Sequence, residues 1–158
     1  MEEISPEDRA SLENHYRKAA MIISGQIAFT IILTVAVWLL APKVGYSISQ
    51  QTLTTLWVTI IFLAVGAFIL RRVFFRWDRL KDVTVLKGVS GLLKTLQINA
   101  IILAVFATLL PIVGAVITVL SGSTFEIIRA EIVALIVFLI NFPRKSVWEK
   151  IVAAMEKV

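Results

Sequence analysis

Residues 97–121 read QINAIILAVFATLLPIVGAVITVLS, a run long enough to cross a bilayer and unlike on its two sides. Its small or weakly polar residues, Ala100, Ala104, Ala107, Pro111, Gly114, Thr118 and Ser121, recur at alternating intervals of four and three, with large aliphatic residues at most positions between. A repeat averaging about 3.5 residues draws a narrow seam along a helix, where a second backbone approaches closely enough for dispersion contact in lipid. The stretch predicts a membrane helix made to pack against helices.

The residues that follow extend the pattern. The turn SGSTFE is short enough to send the chain back antiparallel, and Ala130, Ala134, Val137 and Asn141 continue at intervals of four, three and four. Antiparallel pairing brings Asn141 to the level of Ala104, Ala107 and Thr108, so Asn141 is expected to hydrogen-bond into the preceding helix. Pro111 removes a backbone donor and predicts a kink, with the Ala107 carbonyl needing another partner such as Thr108.

The whole chain fits this class. Of its 158 residues, 58% are hydrophobic and 17% charged, and the mean hydropathy is +0.88. The absence of cysteine excludes disulfides, thiolate nucleophiles and Cys-ligated metals, and a single histidine removes most metal and acid–base designs. An acidic segment of about twenty residues precedes the first apolar run, which points to a retained helix rather than a cleaved signal peptide.

Four spans are expected, at about 19–41, 53–75, 95–120 and 125–142. Ser5 as N-cap, Pro6 at the first position and Glu7 and Asp8 in the first turn open an N-terminal helix over 5–18 that runs on into the first span, which Pro42 stops. The connection after it carries one charge, Lys43. A basic loop over 71–94 carries Arg71, Arg72, Arg76, Arg79, Lys81 and Lys87 together with Lys94, and contains a candidate interfacial helix around 75–86. After Pro143, Ser146 and Glu149 have capping-box spacing and open an amphipathic helix over 146–157, with Val147, Trp148, Ile151, Val152 and Met155 on its apolar face. That face suits a membrane surface or a partner's groove. The fold class is therefore all-α: four transmembrane helices as two antiparallel hairpins in one domain, with a short C-terminal amphipathic helix.

Charge sets the topology. Of the 16 Lys and Arg residues, only Lys43 and Arg129 fall outside the N-terminal segment, the basic loop and the C-terminal tail, so both ends are expected in the cytoplasm. The net charge of +5, placed beside apolar spans, points to anionic lipid headgroups rather than nucleic acid.

Few residues suggest chemistry. Gln26, Thr30 and Thr34 lie four apart and form a candidate polar face on the first span; interhelical hydrogen bonding, with hydroxyls returning to their own carbonyls, is favoured over the lining of a transport path. Glu126, Arg129 and Glu131 crowd the outer start of the fourth span, where pairing and snorkelling are expected rather than an ion site. Gln97 and Asn99 are expected to reach water or headgroups, and His15 to be an exposed interfacial side chain. No ionisable residue is expected near the middle of any span, and no catalytic, cofactor-binding or metal-ligating set is discernible.

The run INAIILAVFATLLPIVGAVITVLSG, followed by another span and FPRK, resembles small uncharacterised bacterial four-span membrane proteins, and this last hairpin is similar to the rotor-ring subunit of rotary ATP synthases. The resemblance implies a bacterial cytoplasmic membrane. The rotor's proton-carrying role is not carried over, because Ala107, Thr108, Leu109 and Leu110 precede Pro111 with no acid among them. The expected function is noncatalytic: an accessory, structural or assembly subunit of a membrane complex, bound to lipid and to other membrane proteins or itself, without cofactors. A small oligomeric transporter or channel is the alternative.

Overall fold

Helix α1 (Pro6–Leu40) begins where the Ser5 hydroxyl accepts the Asp8 N–H at 3.1 Å, satisfying one of the orphan donors of the first turn. It runs unbroken for 35 residues, so the expected N-terminal helix and first span are one element. Helix α2 (Gln50–Phe74) opens in the same way, with Ser49 accepting from the Thr52 N–H at 3.2 Å. Helix α3 (Trp77–Ser121), α4 (Phe125–Asn141) and α5 (Lys145–Met155) complete the chain. This computed structural model describes residues 5–41 and 48–155, all of whose regular elements are helices. Pro42, Lys43 and positions 156–157 of the expected final helix lie outside the described residues.

Three helices, α1, α2 and α3, are long and apolar enough to cross a membrane. α3 is two rods joined at Gly88, whose φ of 66° and ψ of −173° belong to a region that glycine enters at little cost and other residues do not. The candidate helix at 75–86 is thus the first rod, starting at Trp77, and its Leu80 is buried rather than displayed at a surface. The backbone dihedrals stay helical through Pro111, and the non-helical break within α3 falls at Gly88. At the far end Gly122 adopts a φ of 70° and gives its N–H to the Thr118 carbonyl at 2.9 Å, the left-handed stop that a missing Cβ permits.

The core lies along α3, which touches each of the other four helices. Ala100, Ala104, Ala107, Pro111, Gly114 and Thr118 are all buried, as are Ala130, Ala134 and Asn141 on α4. At Gly114 the two helices approach closely: a Cβ there would fall inside the envelope of the Ala130 Cβ and 3.4 Å from Ile127 Cδ1. By contrast α2 buries only Ile60 and Ala67, and large apolar side chains such as Ile32, Phe62 and Leu139 stand exposed on α1, α2 and α4.

A second layer of packing lies at the end of the bundle that holds the start of α1 and α5. Trp148, Val152 and Met155 of α5 are buried, with Trp148 edge-on to Tyr16 of α1 at 5.9 Å. Lys145 pairs with Glu13 at the rim. The amphipathic helix therefore covers most of its apolar face with its own chain, leaving Val147 exposed. It starts one residue earlier than expected: the Arg144 carbonyl accepts from the Val147 and Trp148 N–H groups, and Ser146 sits inside the first turn rather than capping it.

Candidate functional site

The polar groups between the helices are few; several tie one helix to another, while Gln26 Oε1, Thr118 Oγ1 and Asn141 Oδ1 have no partner among the described residues. Thr30 and Thr34 share one side of α1 because residues four apart stack along a helix. Both face Glu131 of α4, with Thr30 Oγ1 3.1 Å from Oε1 and Thr34 Oγ1 3.2 Å from Oε2. Thr30 is fully buried and Glu131 is 6% exposed, so Glu131 turns inward instead of snorkelling outward. The reason is its helical phase: Glu131 follows Ala130, Ile127 and Ala134 onto the packed side of α4, where two hydroxyls replace the water that burial removes. Thr30 Oγ1 also lies 2.9 Å from the Ile27 carbonyl, so its single proton has two acceptors in reach. Gln26, one turn away, is half-buried, and its Oε1 has no partner among the described residues.

Glu126, one turn before Glu131 on the same helix, makes a second polar tie. It is 7% exposed and accepts from Trp57 Nε1 of α2 at 2.7 Å and from Arg129 at 3.3 Å, while the Arg129 side chain stays largely exposed. The two carboxylates thus hold α4 to α1 and to α2 respectively. The pairing of Glu126 with Arg129 follows their spacing; the bond from Trp57 and the inward turn of Glu131 are additions. Their signal was present in the Thr30/Thr34 interval and in an indole at the matching end of the second span.

Other expectations change in the same direction. His15 is half-buried, and its Nδ1 lies 2.6 Å from Gln97 Oε1, an acceptor that the ring can satisfy as a neutral tautomer or as imidazolium. Asn99 is 3% exposed and donates to the Phe74 carbonyl at 3.3 Å, holding the end of α2 to α3. Both amides serve helix contacts rather than headgroups. Asn141 does not bond to α3: its Nδ2 donates to the Val137 carbonyl of its own helix at 2.8 Å, and its Oδ1 has no partner among the described residues. A short amide in the last turn of α4 reaches the carbonyl four residues back on its own helix, which also accepts the helix's backbone N–H, before any carbonyl on α3. Thr108 likewise returns to the Ala104 carbonyl at 3.0 Å and does not serve Ala107.

In the basic stretch, Arg71, Arg72 and Arg76 close α2 and lead into the first rod of α3, which carries Arg79, Lys81 and Lys87. Arg76 pairs with Asp78 at 3.7 Å, and Arg79 lies over the Phe74 ring at 5.0 Å. No group of three or more His, Cys, Asp or Glu able to hold a metal ion occurs among the described residues. Comparison of the chain with protein-family models, with curated proteins and with solved structures returned no match.

Proposed function

We propose that this chain is a four-span integral membrane protein with both ends in the cytoplasm, acting without catalysis as an accessory, structural or assembly subunit in a bacterial cytoplasmic membrane. The observation that carries this reading is the division of side chains. The buried carboxylates Glu126 and Glu131 are held in ties between the bundle's own helices, whereas the outer faces carry large apolar residues, with Met21 and Ile32 68% exposed, Leu139 70% and Phe62 76%. Such an inverted surface suits lipid and would be a liability in water.

The fourth span is the least obvious one, because α4 has only 17 residues, about 26 Å at 1.5 Å per residue. Its charged first turns and a locally thinned bilayer accommodate the difference. The α3–α4 turn and the close approach of Gly114 to Ala130 support an antiparallel last hairpin. Membrane proteins and lipid are the proposed partners, with no nucleic acid.

Purification of the tagged full chain from its native host in gentle detergent, followed by native mass spectrometry, tests the subunit reading. A reproducible complex with another membrane protein is expected; a chain recovered only alone or as a homo-oligomer argues against it.

The buried Glu131 carboxylate favours a second reading, a small transporter using that group, since ionisable residues inside a bundle commonly mark ion pathways. Labelling of Thr30→Cys and Thr34→Cys by an aqueous thiol reagent would favour the transporter. Silence at both positions favours helix contact.

A further inference from the structure

The end of the bundle near α5 holds a cleft of about 460 Å³, within the roughly 300–1,000 Å³ usual for small-ligand sites. Its polar lining consists of Arg71 at the end of α2, Arg144 before α5, and Asn141; Phe75, Leu103 and Trp148 supply apolar walls. No acidic residue lines the cleft, and neither guanidinium has an acidic partner among the described residues. Arg71 donates one N–H to the Ile140 carbonyl at the carbonyl end of α4, and its other donors have no partner among the described residues. Asn141 is only 9% exposed, yet its Oδ1 is an unpartnered acceptor. The first turn of α5 opens at the same rim, adding the partial positive charge of a helix N-terminus.

Two guanidiniums without a counterion call for an anion, and fork-shaped donors match phosphate oxygens. The apolar walls call for a hydrocarbon portion. We propose that this cleft binds a phosphate ester of the kind found in the headgroup of an anionic glycerophospholipid. Arg71 and Arg144 hold the phosphate, and Phe75 and Leu103 lie along the start of the hydrocarbon. This rests on the membrane reading above, which puts the cleft at the cytoplasmic headgroup level.

The test uses the full chain in detergent, titrated with phosphatidylglycerol or phosphatidylcholine and read by native mass spectrometry, alongside alkaline carbonate extraction of native membranes. One phosphatidylglycerol is expected to bind in preference to phosphatidylcholine. Arg144→Gln, a change at an exposed side chain, is expected to weaken phosphatidylglycerol about tenfold with helicity by circular dichroism unchanged. Glycerol 1-phosphate that binds the chain in phosphatidylcholine nanodiscs as tightly as the lipid does would assign the same chemistry to a soluble ester. Equal binding of the two lipids, or wild-type binding by a folded Arg144→Gln, overturns the site. Release of the chain by carbonate overturns the membrane reading instead, so the two failures are distinct.

Discussion

Gly114→Ala is the sharpest probe of the bundle, because the added atom has one destination. The new Cβ meets the Ala130 Cβ, which has no rotamer to move into, so α3 and α4 must part by an amount on the order of 1 Å to restore van der Waals separation. Overpacking of this kind costs about 1–3 kcal/mol, while exchanging glycine for alanine in a helix returns up to about 1 kcal/mol through backbone entropy. Gly25 and Gly66 supply the control: a Cβ at either meets nothing within 4 Å, so Gly25→Ala and Gly66→Ala carry the gain without the cost. Unfolding titrations in mixed detergent micelles should therefore rank Gly114→Ala below Gly66→Ala by about 1–3 kcal/mol. The double variant Gly114→Ala with Ala130→Gly removes the opposing methyl and should recover much of the loss as a coupling energy. If Gly114→Ala were as stable as Gly66→Ala, or if the second change brought no recovery, the close approach of α3 and α4 at this point would be refuted.

Other perturbations follow from the same contacts. Trp57→Phe leaves Glu126 without its indole donor and should destabilise the bundle by about 1–3 kcal/mol, measurable in the same titration; no change would mean that Arg129 suffices. Asn141→Leu removes only a bond within α4 and an unpartnered oxygen, so lipid-free detergent stability should stay within about 1 kcal/mol of wild type, and a larger loss would point to a bond across to α3. The hydrogen bond and charge of Glu13 raise the Lys145 pKa above its ordinary value, so the pair's contribution is fully present below the unfolded lysine pKa of about 10.4 and disappears as pH rises through the higher folded value. Cleavage within α5 by an alkali-tolerant protease should accordingly accelerate above that range, relative to cleavage of Glu13→Gln. For the central tie, Glu131→Gln should preserve detergent stability within about 1 kcal/mol, whereas Glu131→Leu should lower it by about 1–2 kcal/mol; equal losses in the two would show that charge, not hydrogen bonding, holds α1 to α4.

The fold was legible where one residue property decided the outcome. Small residues at intervals of four and three can face only one side of a helix, and that side of α3 is the buried one. Ser5 caps α1 because a serine hydroxyl reaches the N–H three residues on, a purely local geometry. α5 starts before the point that the Ser146–Glu149 spacing predicts, because the Arg144 carbonyl takes the Val147 and Trp148 N–H groups. Structure and sequence pattern differ most at polar side chains. Glu131 is expected to snorkel or pair at the interface, Gln97 and Asn99 to reach water or headgroups and His15 to be exposed, yet each faces another helix. Depth along one helix says little about rotation around it, and rotation is set by neighbours that a linear pattern does not name. The Thr30 and Thr34 interval held half of the information; their partner was 97 residues or more away.

The Thr30–Glu131–Thr34 arrangement has a property that bears on both functional readings. With Glu131 ionised, Thr30 and Thr34 each donate to one carboxylate oxygen, and the Ile27 carbonyl keeps its place in the helix without the hydroxyl. With Glu131 protonated on Oε1, that O–H donates to Thr30, whose own proton turns to the Ile27 carbonyl 2.9 Å away, and Thr34 still donates to Oε2. Every hydrogen bond is satisfied in either state, so a proton can be taken up or lost without parting α1 from α4. Glutamine reproduces the protonated pattern, with its NH₂ donating to Thr30 and its oxygen accepting from Thr34. A structural tie is therefore indifferent to Glu131→Gln, in complex formation as in stability. A transporter is not, because the amide cannot exchange a proton or neutralise a cation. The glutamine variant consequently divides the two readings with the fold held constant: an intact native complex assigns Glu131 to helix packing, and a folded variant that has lost ion flux assigns it to transport.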